Sequence, residues 1–331
     1  MTPVFHKLKS FTEALLSPVV NYGANREAAI SLNKFFSEVV DFDEMEPANQ
    51  VDIPTKSGKA IAPSWAAFCL TDFMRTRKFI LGIRDAIEER LRINPGRPVT
   101  VLYAGTGPYA SLLTPLITVF TPAQLQMVLL EINPVSIQYL QKIITQFEME
   151  DYLIDLVQAD AVTWSIPENM QPDMIVSETM NNALQKEPQV NIVANLLSQC
   201  STGTILIPEL IKVDACLLGN TISNPEDILH LETLLELDAE TAVRIKNNPE
   251  KVAAISHGII VTIAELPPER FRTLVLNTSI RIFGQHSLAF NESGLTISHK
   301  LMMTNSFNKY PTRLLFQYRL EDDPGFSVTE V

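Results

Sequence analysis

The 331-residue chain is 46% hydrophobic and 19% charged, a globular composition with enough apolar surface for a core, which excludes wholesale disorder. Lys and Arg number 26 against 38 Asp and Glu. The resulting charge of −12 argues against a nucleic-acid binder, which needs a basic footprint, and suits a cationic substrate or basic peptide.

The N-terminus, MTPVFHKLKSFTEALLSPVV, has no long apolar region and no clear cleavage site, so no signal peptide is expected. Nor does any uninterrupted apolar run reach the ~18 residues of a membrane span. Apolar residues at three- and four-residue spacings predict helix over the first 40 residues. Residues 41–64 read as a connector, with Asp41, Asp43, Glu44 and Glu46 followed by Pro47, Pro54, Gly58 and Pro63. A helix is predicted from about Trp65 to Arg92, stopped by Pro95, Gly96 and Pro98.

From Pro98 the pattern changes to strands (99–104, 126–132, 152–158, 173–178 and 202–208) with helices at 136–147 and 190–200. This alternation predicts βαβ units and a parallel sheet covered on both faces. Beyond it, 227–248, bounded by Pro225 and Pro249, reads as a helical insert. The runs GIIVTIAEL, RTLVLNTSIRIFG, LTISHKLMMT and TRLLFQYRL read as antiparallel strands. The expected fold is therefore α/β: a helical segment (1–64), a Rossmann-like cofactor domain (65–208), and a smaller β-rich substrate or dimerisation domain (209–331).

Cys69, Cys200 and Cys216 are odd in number and widely spaced, with no CxxC. Neither a disulfide scaffold nor a zinc site is expected, and a reducing, cytoplasmic setting is. His6, His230, His257, His286 and His299 form no HxH or HxxxH pattern, so no metal site is expected, and Met302 and Met303 are expected to pack.

The first chemical motif is VLYAGTGPYA (101–110), a strand, then Gly105-Thr106-Gly107, then an expected helix. Glycine there permits a positive φ and lets a ligand approach the backbone, although a plain βα turn has the same pattern. Glu131 ends the second strand, where a carboxylate accepts from ribose hydroxyls; otherwise it is a solvent-facing strand end. Asp160-Ala161, past the third strand, can bond an adenine edge or simply make a turn. Gly105, Gly107 and Ala110 also approximate a dinucleotide GxGxxG, so NAD is the alternative cofactor.

The acidic strand end followed by Asp-Ala after the third strand resembles the class I S-adenosylmethionine-dependent methyltransferases. LTDFMRTRKFILGIRDAI (70–87), with Asp72, Arg75 and Thr76, resembles the Asp-x-x-Arg-Thr helix of the protein arginine methyltransferases. MIVSETMNNALQKE (174–187) is similar to that family's double-glutamate hairpin, with Ser177, Glu178, Met180 and Glu187 matched. ILIPELIKVDACLL (205–218) resembles the passage into its β-barrel.

The resemblance implies S-adenosylmethionine as cofactor and Arg75 facing its methionine carboxylate, with Asp72 structural. It implies that Glu178 and Glu187 hold a cationic guanidino or amine acceptor, on a small molecule or a basic peptide. It also implies a homodimer, for which the 227–248 helix with Leu231, Leu234, Leu235 and Leu237 is the candidate arm. Thr179, Asn181 and Asn182 replace the family's hairpin tryptophan, glycine and tyrosine. The upstream Tyr-Phe motif is absent, with Pro63, Ser64 and Trp65 nearby, and Ser298-His299-Lys300 is the nearest approach to a Thr-His-Trp loop. These departures bring in a non-protein acceptor, or a cofactor-binding scaffold, as alternatives.

Methyl transfer from a sulfonium needs a lone pair aimed at the methyl group, so positioning supplies much of the rate. A guanidinium is a poor nucleophile, with delocalised lone pairs and a pKa above ~12. Paired carboxylates can hold it bidentately and draw its charge away from the attacking nitrogen. The bland alternatives are a polar strand end for Glu178 and a helix start for Glu187, before Pro188. Lys186, beside Glu187, is the expected counter-ion when no substrate is present.

Overall fold

The computed structural model describes residues 2–219, 227–265, 271–307 and 310–331. Pro225 and Leu266, at the edges of two expected elements, lie outside these residues. Helices α1 (Pro3–Leu16) and α2 (Tyr22–Val40) start at Thr2 and Asn21, whose side chains accept from Phe5 and Ala24 N–H groups. The expected connector contains a two-stranded hairpin, β1 (Ile53–Thr55) and β2 (Gly58–Ala60). The single helix expected from Trp65 is two, α3 (Pro63–Phe68) and α4 (Phe73–Ile93). The break is at Asp72, whose non-helical backbone lets its carboxylate cap α4 by accepting the Arg75 N–H at 3.2 Å.

The central sheet is built from β3 (Val99–Ala104), β4 (Leu125–Glu131), β5 (Leu153–Gln158), β6 (Met174–Ser177) and β7 (Ile205–Ile207), with α5 (Pro134–Gln146) and α6 (Gln189–Leu197) among them. All pairings are parallel, in the order β5-β4-β3-β6-β7. Val101, Leu102, Met127, Val128, Ile175 and Val176 are fully buried, as a sheet covered on both faces requires. Strand order reverses between β3 and β6, which opens a crevice at their carboxyl ends. The helix expected after Gly107 is absent. Ala110 has φ +44°, which no right-handed helix can include, and turns with a short 3₁₀ helix at Thr114–Thr118 follow instead.

The rest of the chain comprises β8 (Leu210–Leu218), β9 (Ile228–Leu237), α7 (Ala239–Asn247), α8 (Ala253–Ser256), β10 (Ile259–Ile263), β11 (Thr273–Phe283), β12 (His286–Leu288), β13 (His299–Met303), β14 (Thr312–Arg319) and β15 (Gly325–Glu330). These strands form two antiparallel sheets. One is β12-β11-β8-β9 with β13 also on β11, and the other is β10-β14-β15.

The helical insert over 227–248 is corrected here: its first half is strand β9, antiparallel to β8, and only α7 is helix. Leucine and glutamate favour helix locally, but pairing with β8 places Leu235 against Val213 and Leu237 against Ile211. Leu234, Leu235 and Leu237 are buried within their own chain, so they cannot serve as the exposed face of a dimer arm. One hydrophobic core runs from Leu8 and Phe36 through Phe79 and Val101 to Ile211 and Phe316. Among the described residues, no helix is long and apolar enough to cross a membrane.

Candidate active site

The carboxyl ends of β3, β4, β5 and β6 face one cavity of about 290 Å³. Its walls include all nine sequence-predicted site residues: Arg75, Gly105, Thr106, Gly107, Glu131, Asp160, Ala161, Glu178 and Glu187.

Gly105 and Gly107 have φ of +75° and +63°, the left-handed conformation that glycine adopts without a steric cost. At Gly105 the space a side chain would need is taken by the protein itself: a Cβ there would lie 2.1 Å from Thr179 Cγ2. The glycine therefore lets the loop after β6 close on the turn after β3. Glu131 is buried and stitches that turn together. One carboxylate oxygen accepts the Gly107 N–H at 2.8 Å and lies 3.4 Å from the Thr106 hydroxyl, while the other accepts the Asn133 N–H at 2.8 Å. Burial raises its pKa, and these bonds oppose the rise. A carboxylate has about four acceptor positions, which leaves capacity for a ligand hydroxyl. Asp160 makes a turn and lines the cavity at once, with Oδ1 accepting the Val162 N–H at 2.9 Å. The Ala161 carbonyl is held by Asn195 Nδ2 at 2.9 Å.

Arg75 and Glu178, expected to face cofactor and substrate respectively, contact each other through Nη2 and Oε2, with side chains only 7% and 4% exposed. Arg75 Nη1 also donates to the Cys69 carbonyl at 3.2 Å, and its buried Nε has no hydrogen-bond partner among the described residues. Asp72 caps α4 and also reaches the antiparallel region. Its Oδ2 accepts from the Ser293 hydroxyl at 2.7 Å and from the Gly294 N–H at 2.8 Å. Gly294 and Leu295 thereby become cavity wall, whereas Ser298, His299 and Lys300 do not line it.

Residues 178–187 are not a hairpin but an irregular loop around a short 3₁₀ turn at Asn182–Leu184. Ala183, Leu184 and Lys186 all have positive φ, at 55°, 56° and 65°. Such backbone persists only when its surroundings over-determine it. Here the Ala183 N–H donates to Thr278 Oγ1 at 2.8 Å, the Leu184 carbonyl accepts from Tyr318 Oη at 2.7 Å, and the Lys186 N–H donates to the Pro324 carbonyl at 2.7 Å. At the root of the loop, buried Gln189 accepts the Thr179 N–H and hydroxyl, both at 2.9 Å, and donates to the Ser177 carbonyl at 3.0 Å.

Glu187 is half-buried in the cavity wall, and its pKa is pushed up to about 7 by burial, with Lys59 and then Arg75 opposing and Asp52 adding to the rise. The cation that acts on it most is Lys59, from the β1–β2 hairpin, in place of the expected Lys186. Lys186 contributes its backbone, since its carbonyl accepts the Lys59 N–H at 2.9 Å. Lys59 Nζ lies 2.5 Å from Asp52 Oδ2, and Asp52 Oδ1 accepts the Ala62 N–H at 2.8 Å. Lys59 was missed because its segment read as a connector, although Ser57-Gly58 there is a turn signal. Tyr103, also unassigned from sequence, is buried against the cavity, bonded to Ser111, with its phenol pKa raised by burial. Among the described residues, no group of three or more His, Cys, Asp or Glu side chains is arranged to hold a metal.

A five-stranded parallel sheet with a glycine turn facing an acidic strand end, accompanied by antiparallel sheets, is a Rossmann-like α/β architecture. Solved structures that share the fold are protein arginine methyltransferases. The Trypanosoma brucei PRMT1 enzyme–prozyme heterotetrameric complex with AdoHcy matches at 13% identity with a TM-score of 0.51, over 75% of this chain and 84% of that one. Arabidopsis thaliana protein arginine methyltransferase 10, in a uniquely open conformation, matches at 10% identity with a TM-score of 0.54, over 78% and 96%. No protein-family model matches the sequence, and no curated protein does.

Proposed function

We propose that the chain is an S-adenosylmethionine-dependent N-methyltransferase acting on a guanidino or amine group. The observation that carries this reading is the gathering of the strand-end residues Gly105, Gly107, Glu131, Asp160 and Glu178 with Arg75 and Glu187 around one cavity. The AdoHcy in the Trypanosoma brucei complex adds support. Two further features suit the cofactor: the buried Nε of Arg75, without a hydrogen-bond partner among the described residues, is a donor suited to a carboxylate, and Glu131 retains acceptor capacity for one ribose hydroxyl.

The cofactor, when bound, supplies a methyl group on a sulfonium. In this reading Arg75 binds its carboxylate end, Thr106 and the glycine turn border it, and Asp160 and Ala161 border its base. Glu178 and Glu187 stand at the acceptor end, where negative charge attracts a cation. The domain division at 65–208 and 209–331 follows from the same reading, with the second part covering the acceptor. A cytoplasmic setting and a homodimer also belong to it; light scattering at micromolar concentration reads the latter. The replacements at Thr179, Asn181 and Asn182 favour an acceptor other than protein arginine.

The test is ligand binding followed by turnover. S-adenosylhomocysteine at saturation is expected to raise Tm, because a ligand of the native state stabilises it. A shift by NAD and none by S-adenosylhomocysteine overturns the proposal. Labelled S-adenosylmethionine with amine, guanidine and peptide acceptors then reads transfer.

A further inference from the structure

Three separate stretches of chain meet at the acceptor end: the β1–β2 hairpin with Lys59, the loop after β6 with Glu187, and, behind the cavity wall, the turn 320–324 between β14 and β15. On the basis of the methyltransferase reading, we propose that Gly58 and this turn are positioning elements of the acceptor end: they grip the backbone of Lys186 from two sides and so hold Lys59 beside Glu187, apart from the cofactor end.

The grip is made of backbone. Lys186 stands at φ +65°, and both of its polar backbone groups are taken by other elements. Its N–H donates to the Pro324 carbonyl at 2.7 Å, and its carbonyl accepts the Lys59 N–H at 2.9 Å. The peptide units before and after Lys186 are therefore each fixed, and the second is the one that leads into Glu187. The turn also holds the hairpin directly, since the Asp322 N–H donates to the Lys56 carbonyl at 2.8 Å. Asn191 of α6 anchors the turn in its place, with Nδ2 donating to the Leu320 carbonyl at 2.8 Å. Hairpin, loop and turn close a ring of three contacts, so none shifts without breaking a bond to another.

Gly58 makes the ring possible. Its φ of +111° lies in the region that favours glycine, and a Cβ there would fall against the Lys186 carbonyl oxygen and Pro324 Cγ. A side chain would push the hairpin off the loop and the turn at once. Gly58, Asp322 and Pro324 do not line the cavity; they act through Lys59 and Glu187, which do. The cofactor end is held by other bonds, from Glu131 to the Gly107 and Asn133 N–H groups and from Asp160 to the Val162 N–H.

Glu187 itself reports whether the grip holds. Lys59 and Asp52 act on its carboxyl from the hairpin side and Arg75 from α4, and its charge is felt by the Cys69 thiol. Lys59 is the strongest of the charges that act on it, so Lys59→Met should raise the Glu187 titration midpoint. The size of that rise measures how closely Lys59 is held, and a double-mutant cycle separates it from any change in hydration.

The experiment uses the full chain with carbon-13-labelled glutamate, the Glu187 carboxyl signal being the one lost in Glu187→Gln. The Lys59→Met rise is measured in the parent chain and again in Gly58→Ala, beside amide hydrogen exchange and S-adenosylhomocysteine titration of both. The expected result is a rise in Gly58→Ala less than half that in the parent, exchange at the Lys59 and Lys186 amides at least tenfold faster, and S-adenosylhomocysteine affinity within about threefold. If Gly58→Ala does not fold, Gly325→Ala takes its place, with a Cβ 3.2 Å from Gln185 Cγ beside Lys186. An equal Lys59→Met rise in both backgrounds, or unchanged amide protection, overturns the inference. So does a tenfold loss of S-adenosylhomocysteine affinity, because the grip would then not be confined to the acceptor end. A parent chain that binds no S-adenosylhomocysteine removes the methyltransferase reading and the acceptor role with it.

Discussion

The carboxylate of Asp72 caps helix α4 with one oxygen and takes the Ser293 hydroxyl at 2.7 Å with the other, joining the helix that carries Arg75 to a loop 221 residues away. Both sides of this tie border the cavity, so the same carboxylate sets the first turn of α4 and the position of Gly294 and Leu295.

Asp72→Ala removes the cap and both bonds to the loop. Caps contribute ~0.5–2 kcal/mol and hydrogen bonds to a charged group ~1.5–3 kcal/mol, so a loss of roughly 2–4 kcal/mol is expected in urea unfolding. Ser293→Ala, which removes one of these bonds, should cost less, about 1–2 kcal/mol. Equal stability of Asp72→Ala and the parent chain would show that the tie contributes nothing.

Gly105→Ala and Gly107→Ala separate backbone strain from steric conflict. Both place a side chain at positive φ, which costs roughly 1–3 kcal/mol. Only Gly105→Ala also collides with Thr179 Cγ2, at 2.1 Å; at Gly107 the nearest atom, Ala66 Cβ, is 3.1 Å away. Gly105→Ala is therefore expected to be the more destabilising variant in thermal melts. Adding Thr179→Ser, which removes the colliding methyl and keeps the hydroxyl, should recover part of the loss. If Gly107→Ala proves the worse of the two, the close approach of the loop is not what requires glycine at 105.

Gln189→Leu keeps much of the volume but leaves the Thr179 N–H and the Ser177 carbonyl without their side-chain partner. Unsatisfied buried groups cost about 1–3 kcal/mol, and because Glu178 lies between Ser177 and Thr179 the loop should loosen as well. Hydrogen exchange at the Thr179 amide reads this directly. It should quicken in the variant, and unchanged protection would reject the bracing role.

Stability should fall as pH rises from about 4.5 to about 7. Burial lifts Glu187 from its ordinary value of 4.5 to about 7, so the fold binds that proton more tightly than the unfolded chain does. Linkage then makes folding most favourable below the unfolded pKa, with the contribution lost as pH climbs through the folded one. Glu131 acts in the same direction, since burial raises it too. The Tm of Glu187→Gln, compared with the parent chain across this range, should show a shallower decline. Parallel curves would mean that Glu187 ionises at the same pH in both states.

The parallel sheet and the residues at its edge are legible in the amino-acid sequence. Strand runs and the glycine turn are local signals, and a parallel sheet brings its carboxyl ends to one side however its helices are packed. Gly105, Glu131, Asp160 and Glu178 are therefore neighbours that local sequence signals identify. How the charges pair depends on the folded chain. The Arg75–Glu178 contact joins α4 to the loop after β6, and Lys59 reaches the cavity from a hairpin whose composition reads as a connector. Ser293 meets Asp72 because the antiparallel sheets fold back over the cavity edge. Residues 228–237 show the same division: leucine and glutamate favour helix, and strand pairing with β8 overrides them because it buries Leu234, Leu235 and Leu237. Partners far apart in sequence leave no periodic trace, so electrostatic pairing is settled only when the chain closes on itself.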